Sequence, residues 1–207
     1  MAHQTYNIYS LNVGMNNSLA GLVSLIESEN LDIILLQEVR LTSVQIEKQI
    51  IGFNTVSNID PHNVMQPGTA LVWRRELPVE EVISVSTCRL QIAKLGSYRL
   101  FNCYAPSGSN KKSERAKFFS QDVFTTMALD PELPLILGGD FNCLLEAKDV
   151  ENDLGFAQKS CPPLADLVKV NKLVDAFRFC HPNKREYTFY RQGCAASRLL
   201  PSQTIVV

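Results

Sequence analysis

The sequence predicts one domain of mixed α/β class, in which strands and helices alternate and the middle of the chain is rich in strands. Three observations support this prediction. The chain has 207 residues, which is the size of one domain or of two small ones. Hydrophobic residues make up 45% and charged residues 20% of the chain, as in globular proteins. No repeat, low-complexity tract or linker is visible, so we expect a single domain over residues 1–207.

The first part of the chain alternates between strand and helix patterns. Residues 6–13 are rich in β-branched and aromatic side chains, which favours a strand. From Leu19 onward, apolar residues recur at the spacing of one helical face, with Asn17 as the predicted cap. Residues 31–36 form a short apolar run, as in a strand covered on both faces. Thr42 is the predicted cap of a second helix.

Strand patterns follow one another through the middle of the chain, which argues against a plain doubly wound parallel sheet. The predicted strands of this section are 53–57, 69–74, 82–86, 89–95 and 98–104. Helical spacing returns over 113–127, and a further helix is predicted after Pro163. Two more strands are predicted at 135–137 and 187–190.

Charge and hydropathy exclude some classes of function. Lys and Arg number 20, Asp and Glu 21, and the formal net charge is −1. This balance argues against a sequence-blind nucleic-acid coat, which is usually strongly basic. A protein that grips phosphate through a metal ion is not excluded, because the metal brings its own charge. No apolar run approaches the roughly 18 residues of a membrane span, and residues 1–10 lack the pattern of a signal peptide. We therefore expect an intracellular protein, nuclear or cytoplasmic and not secreted.

Cysteine spacing gives no metal motif. The closest pair of the six cysteines is 14 positions apart, so neither Cys-x-x-Cys nor a zinc-knuckle spacing occurs. Without a predicted signal peptide, we expect free buried thiols and no disulfide framework. The six residues are Cys88, Cys103, Cys143, Cys161, Cys180 and Cys194.

Polar residues stand at the ends of predicted strands, where open sheets usually place their sites. Glu38 directly follows an apolar run, and a carboxylate there costs free energy unless it is solvated, paired or bound to a metal. Asp140 and Asn142 lie two residues apart in Gly-Gly-Asp-Phe-Asn, so they share one side of extended backbone. Asn12 and Tyr104 end two other predicted strands.

Each of these residues also has a structural interpretation. Glu38 alone reads as a solvated strand end, Tyr104 as a cap on the core, and the Gly-Gly-Asp-Phe-Asn string as a glycine turn closed by an Asx side chain. A hard cation such as Mg²⁺ prefers oxygen ligands, usually one or two carboxylates with water and substrate phosphate. Glu38, Asn12 and Asp140 would suit such an ion if the fold brings them together.

Taken together, five strings in this order resemble the endonuclease/exonuclease/phosphatase family, and in particular the endonuclease domains of LINE-type retrotransposons. That family includes exonuclease III-type apurinic endonucleases, deoxyribonuclease I and inositol polyphosphate phosphatases. The resemblance implies a four-layered α/β sandwich of two mixed, largely antiparallel sheets flanked by helices. It also implies phosphodiester hydrolysis with Mg²⁺ or Mn²⁺, and DNA as the partner of a monomer. The strings are Ser-Leu-Asn-Val, Leu-Leu-Gln-Glu-Val-Arg, Tyr-Ala-Pro-Ser-Gly, Gly-Gly-Asp-Phe-Asn and Tyr-Thr-Phe-Tyr-Arg.

The same resemblance implies a role for each matching residue. Asn12 and Glu38 resemble the metal side of the family's site. Asp140 resembles the residue that positions or deprotonates the attacking water. Contacts to the substrate phosphate are implied for Tyr104, Asn142 and Thr188.

The sequence departs from the family in three places. Residues 197–199 begin the family's Ser-Arg-Leu-Asp-Arg string, but Leu200 occupies the aspartate position. The family's later Ser-Asp-His has no counterpart, and His181 lies in a predicted loop that offers no substitute. Gly14 stands where many relatives carry a polar side chain. We therefore expect a domain that is incomplete from about residue 200 and lacks its last strands, so that a sheet edge is exposed. We also expect slow catalytic turnover.

Three functions remain open at this point. The first is a divalent-metal-dependent DNA endonuclease of retrotransposon or apurinic type, impaired by the missing motif. The second is a catalytically inactive remnant that binds nucleic acid or protein. The third is a phosphatase of the same fold that acts on a small phosphorylated substrate. The LINE-like motifs favour a nucleic-acid ancestor over the third.

Overall fold

The computed structural model describes residues 5–14, 19–63, 65–85, 87–128, 132–150, 159–184, 189–191 and 194–197. The first half of the chain forms one sheet and two helices. Its elements are β1 (Ile8–Asn12), α1 (Ala20–Glu29), β2 (Ile33–Val39), α2 (Ser43–Glu47), β3 (Phe53–Asn58) and β4 (Gly68–Arg74).

The second half forms a second sheet with its own helices. Its elements are β5 (Val79–Ser84), β6 (Leu90–Leu95), β7 (Tyr98–Tyr104), α3 (Lys112–Lys117), α4 (Phe124–Met127), β8 (Leu135–Asp140), α5 (Pro162–Val170) and α6 (Ala176–Cys180). A π-helical segment, Phe118–Val123, joins α3 to α4. Two 3₁₀ turns lie at Ser109–Lys111 and Ala147–Asp149. A short hairpin of β9 (Phe189–Arg191) and β10 (Cys194–Ser197) follows.

Each four-stranded sheet contains one parallel pair in an otherwise antiparallel order. The first sheet runs β1-β2-β4-β3, with β1 parallel to β2. The second runs β5-β6-β7-β8, with β7 parallel to β8. Parallel strands end at the same edge of a sheet, so each sheet has one edge at which two carboxyl ends lie together. The predicted class of two mixed, largely antiparallel sheets flanked by helices is confirmed.

Strand alternation divides the apolar residues into three layers. In β2, Ile33 and Leu35 face the second sheet, whereas Ile34 and Leu36 face the helical layer over the first sheet. In β7, Phe101 faces the other helical layer, on the outside of the second sheet. This arrangement produces the order helix, sheet, sheet, helix, because each sheet buries both faces.

The helices follow local signals to different degrees. The Thr42 cap is confirmed. Its side chain accepts the Gln45 N–H, and the Gln45 side chain accepts the Thr42 N–H, which together form a complete capping box. Asn17 lies outside the described residues. Helix α6 was not predicted, although the Asp175 side chain caps it by accepting the Arg178 N–H. Within the described ranges, no helix is long and apolar enough to cross a membrane.

Candidate active site

The carboxyl ends of the two parallel pairs meet across the two sheets. Asn12 ends β1 and Glu38 lies in the last part of β2, both in the first sheet. Tyr104 ends β7 and Asp140 ends β8, both in the second. The structure therefore brings together four residues that the sequence placed only at the ends of separate strands.

Asn12 joins the two carboxylates. Its Nδ2 donates to Glu38 Oε1 at 3.0 Å and to Asp140 Oδ2 at 2.8 Å. Its Oδ1 accepts the Gly14 N–H at 2.9 Å, which orients the amide. Gly14 has a φ of +64°, in the left-handed region that favours glycine. Gly14 therefore contributes to the site through its backbone N–H.

Glu38 reaches the site from an irregular point in β2. The pairing of β2 with β4 shifts register between Gln37 and Val39, and Glu38 has a φ of +59°. Such a bulge re-aims one side chain while the strand continues. The Tyr104 hydroxyl donates to Glu38 Oε1 at 3.5 Å. Among the described residues, the hydrogen bonds to this carboxylate all fall on Oε1, so Oε2 keeps its lone pairs for a cation or a water.

The side chain of Arg89 holds Tyr104 in place. The Arg89 guanidinium lies 4.7 Å from the centre of the Tyr104 ring, and its NH1 donates to the Tyr104 carbonyl at 3.3 Å. Burial raises the pKa of Tyr104, and the negative charge of Glu38 raises it further. The phenol therefore stays protonated and serves as a hydrogen-bond donor in the site.

Asp140 is half-buried at the end of β8, and both of its carboxylate oxygens accept hydrogen bonds. Oδ2 accepts from Asn12, and Oδ1 accepts the Asn142 backbone N–H at 3.0 Å. Burial raises the pKa of Asp140, while the bonds from Asn12 and Asn142 act in the opposite direction. A partly desolvated carboxylate of this kind is a better proton acceptor than an exposed one.

Gly139 allows β8 to pack closely against β7. Its φ is +136°, and a Cβ at this position would lie 1.9 Å from the carbonyl oxygen of Cys103. A side chain would therefore push β8 away from β7 and move Asp140 with it.

Asn142 connects the loops that follow β7 and β8. Its backbone has a φ of +50°, a conformation that asparagine adopts more readily than most residues. Its Nδ2 donates to the Ala105 carbonyl at 3.0 Å, and the Ala105 N–H donates to the Asp140 carbonyl at 2.8 Å. Asn142 thus lies beside Asp140 with one amide proton on the loop and the other available.

Sequence reasoning missed the support beneath the site. Gln37 Nε2 donates to Asn102 Oδ1 at 2.8 Å across the two sheets, and to Ser10 Oγ at 3.1 Å. Asn102 Nδ2 reaches the backbone carbonyls of Leu36 and Ala70 at 3.1 and 3.0 Å. The sequence shows Asn102 as a polar residue inside the apolar string Leu-Phe-Asn-Cys-Tyr, but it does not show that the side chain is buried.

A second missed residue, Arg115, supports the loop after Tyr104. It is 3% exposed, and its NH1 donates to the carbonyls of Pro106 and Gly108 at 2.7 and 3.3 Å. Its positive charge also opposes the rise in the pKa of Asp140. Arg115 therefore fixes the loop and adds positive potential beside the carboxylates.

One predicted site residue is not placed. Thr188 lies outside the described residues, as does Leu200. In the described part of the chain, no group of three or more His, Cys, Asp or Glu side chains could hold a metal ion alone. Any hard cation here would therefore need water or substrate oxygens in addition to the oxygen ligands of the protein.

Known proteins are similar to this chain at three levels. The model of the Endonuclease/Exonuclease/phosphatase family matches residues 5–193. The Transposon TX1 uncharacterized 149 kDa protein of Xenopus laevis is 33% identical over 116 residues, which are 56% of this chain and 9% of that protein. This chain thus corresponds to a small part of that relative.

Two solved structures share the fold. The AP endonuclease LMAP from Leishmania major has a TM-score of 0.76 at 18% identity, over 97% of this chain and 78% of that one. An AP endonuclease from Archaeoglobus fulgidus has a TM-score of 0.71 at 20% identity, over 97% and 84%.

Proposed function

The chain belongs to the endonuclease/exonuclease/phosphatase family, and from that premise we propose that it is a divalent-metal-dependent phosphodiester hydrolase that cuts DNA. One observation carries the proposal: a single amide, that of Asn12, hydrogen-bonds the carboxylates of Glu38 and Asp140, which come from different sheets. The similarity to a transposon protein and to two AP endonucleases supports DNA as the substrate.

The residues present fit a hard cation. No described residue donates a hydrogen bond to Glu38 Oε2. The carboxylate and amide oxygens of the site are ligands of the kind that Mg²⁺ or Mn²⁺ prefers. Glu38 would hold the ion, and Asn12 is a second predicted ligand. When bound, such an ion neutralises charge on the phosphate oxygens and on the leaving oxygen.

The chain's own residues supply the nucleophile and the donors. Asp140 accepts a proton from water, and its bonds from Asn12 and the Asn142 N–H fix the direction of its lone pairs. Asn142 and Tyr104 donate to non-bridging phosphate oxygens, where negative charge grows in the transition state. Thr188 is a further predicted phosphate contact. Leu200 stands at the family's aspartate position, so we expect slower turnover than in relatives that keep the carboxylate. We also infer a monomer.

The test is the nicking of supercoiled plasmid that contains abasic sites, in the presence and absence of Mg²⁺. We expect metal-dependent nicking that falls at least about 10²-fold in Asp140→Asn, because one group that acts in the transition state is lost. Asp166→Asn, an exposed carboxylate on α5, is the matched control and should nick normally. Calorimetry with Mg²⁺ should show that Glu38→Gln loses metal binding, whereas the exposed Glu76→Gln keeps it.

Other outcomes would assign another function. Intact plasmid together with phosphate release from a small phosphorylated substrate would overturn the nuclease in favour of a phosphatase. Intact plasmid, no phosphate release and a retained gel shift with DNA would identify an inactive binding module.

A further inference from the structure

A buried arginine on α3 carries a charge that no described carboxylate neutralises. Arg115 is 3% exposed, and no ion pair within the described ranges includes it. The neighbouring acidic residue, Glu114, pairs with Lys111, at 2.5 Å between Oε1 and Nζ. Arg115 Nε is buried and has no acceptor in the described part of the chain. Burial of a cation without a counter-ion costs free energy, so an apolar side chain would serve better if packing were its only role.

Side chains hold the backbone of segment 104–108, which follows β7. Four of its five carbonyls accept a hydrogen bond from a side chain. Arg115 NH1 supplies two of these bonds, to Pro106 at 2.7 Å and to Gly108 at 3.3 Å. Gly108 has a φ of +96°, a conformation that favours glycine. The other two bonds run from Asn142 Nδ2 to the Ala105 carbonyl and from Arg89 NH1 to the Tyr104 carbonyl.

The same segment connects the two proposed phosphate donors. Tyr104 is its first residue and carries the phenol. Ala105 accepts the Asn142 amide at 3.0 Å and donates its own N–H to the Asp140 carbonyl at 2.8 Å. A shift of the segment would therefore move the Tyr104 hydroxyl and the Asn142 amide together.

The charge of Arg115 also acts on the reaction. Negative charge grows on the non-bridging phosphate oxygens as the phosphodiester is attacked. A cation that is shielded from water acts on such charge with little screening. The same charge opposes the rise in the pKa of Asp140 that burial causes, which shows that its field reaches the carboxylate.

We propose that Arg115 is a positioning residue, whose guanidinium holds segment 104–108 so that Tyr104 and Asn142 donate to the same phosphate. This inference rests on the proposed nuclease function. Because Arg115 is buried, it acts through the two donors and not by contact with DNA. The planar guanidinium matters as well as the charge, because lysine ends in a flexible point charge that does not fix the direction of its hydrogen bonds.

The first test measures kcat and KM for the nicking of abasic plasmid. Arg115→Lys keeps the charge but loses the guanidinium, so kcat should fall about 10²-fold while KM changes by less than about threefold. Arg115→Met loses both and should fall at least as far. Lys117→Met, which removes an exposed charge from the same helix, is the matched control and should keep its kcat.

Two results of this test would overturn the inference. A fully active Arg115→Lys would show that the charge alone is sufficient, and a fully active Arg115→Met would show that Arg115 has no role in the reaction.

The second test measures the order of the segment without DNA. The amides of Tyr104, Ala105 and Lys111 are hydrogen-bonded, so hydrogen–deuterium exchange of peptides over 104–111 should be faster in Arg115→Lys than in wild type. Peptides over β2 should exchange equally in both proteins. Unchanged exchange over 104–111 would overturn the inference whatever the nicking rate. If wild type nicks no DNA but the exchange differs as expected, the nuclease proposal fails while the hold of Arg115 on the segment stands.

Gly108→Ala disturbs the segment while keeping Arg115, so the test stays decisive if Arg115→Met does not fold. A Cβ at Gly108 would lie 3.0 Å from Asn110 Oδ1, on a backbone that alanine rarely adopts. We expect kcat to fall about 10-fold. Combined with Arg115→Lys, the loss should be smaller than the product of the single losses, because both changes act through the same segment. Independent effects of the two changes would contradict the inference.

Discussion

The layer between the two sheets has an apolar end and a polar end. Away from the site it is apolar, with residues of both sheets packed against one another. Beneath the site it is polar, and every polar side chain there is buried. The apolar end consists of Ile33, Leu35, Leu71, Trp73, Ala93, Leu95, Leu100 and Ile136. The polar end consists of Ser10, Gln37, Asn58, Thr69, Gln91 and Asn102.

The two ends have different roles, because the apolar end provides stability and the polar end provides orientation. Apolar burial is roughly proportional to area and has no direction, so the apolar end holds the sheets together without defining how they align. Hydrogen bonds have direction, and Asn102 uses them to join β7 to the backbone of Leu36 and Ala70 in the opposite sheet. We infer that the polar end aligns the strand ends so that Glu38 meets Tyr104 and Asp140 meets Asn12. Mutations at the two ends should therefore have different effects.

The largest loss of stability is expected at the apolar end. Leu100 is 1% exposed, and Leu100→Ala should lower the free energy of unfolding by about 3 kcal/mol through lost burial and a cavity. Urea denaturation measures this loss, and Leu100→Met, which nearly keeps the volume, should lose less than about 1.5 kcal/mol. The nicking rate per folded molecule should stay near the wild-type value. A rate that falls in proportion to stability would contradict the separation of roles.

A smaller loss of stability but a larger loss of activity is expected for Asn102→Ala. The change removes the hydrogen bonds of Asn102 to the Gln37 amide and to the carbonyls of Leu36 and Ala70, which should cost about 2 kcal/mol. Because the strand ends lose their alignment, nicking per folded molecule should fall at least about 10-fold. Denaturation and nicking assays on the same preparation measure both effects. Full activity in the folded fraction would mean that the polar end is only structural.

The smallest effect on stability is expected when both main partners become apolar. In the double variant Gln37→Leu with Asn102→Leu, the lost hydrogen bonds are offset by apolar burial, so stability should change by about 1 kcal/mol or less. Activity should stay as low as in Asn102→Ala, since the directional contacts are still missing. The single variants Gln37→Leu and Asn102→Leu complete a double-mutant cycle, which measures the coupling between the two residues. A stable and fully active double variant would show that alignment comes from elsewhere.

Residue type and strand position were enough to predict most of the candidate site. A polar side chain at the end of an apolar strand is visible in the sequence. Five of the residues predicted in this way lie together in the structure. Their roles remain predictions. The sixth, Thr188, lies outside the described residues, so its place in the site remains a prediction.

The polar layer beneath the site could not be predicted in the same way. In an antiparallel strand, a polar residue between apolar ones usually faces water, and Asn102 between Phe101 and Cys103 fits that pattern. In the structure, the face that Asn102 shares with Leu100 is covered by the first sheet. Helix α6 was missed for a related reason: five residues are too few for a clear helical period.

The sequence by itself determined most of the elements, their amphipathic faces and the chemistry placed at each strand end. These are local properties, because side-chain periods of 2.0 and 3.6 residues follow from backbone geometry. Only the tertiary structure decided what covers each face. The period shows that residues share a side but not which strand lies opposite, and Asn12 meets an aspartate 128 positions away. The junction of two parallel pairs and the buried polar layer both depend on such long-range packing.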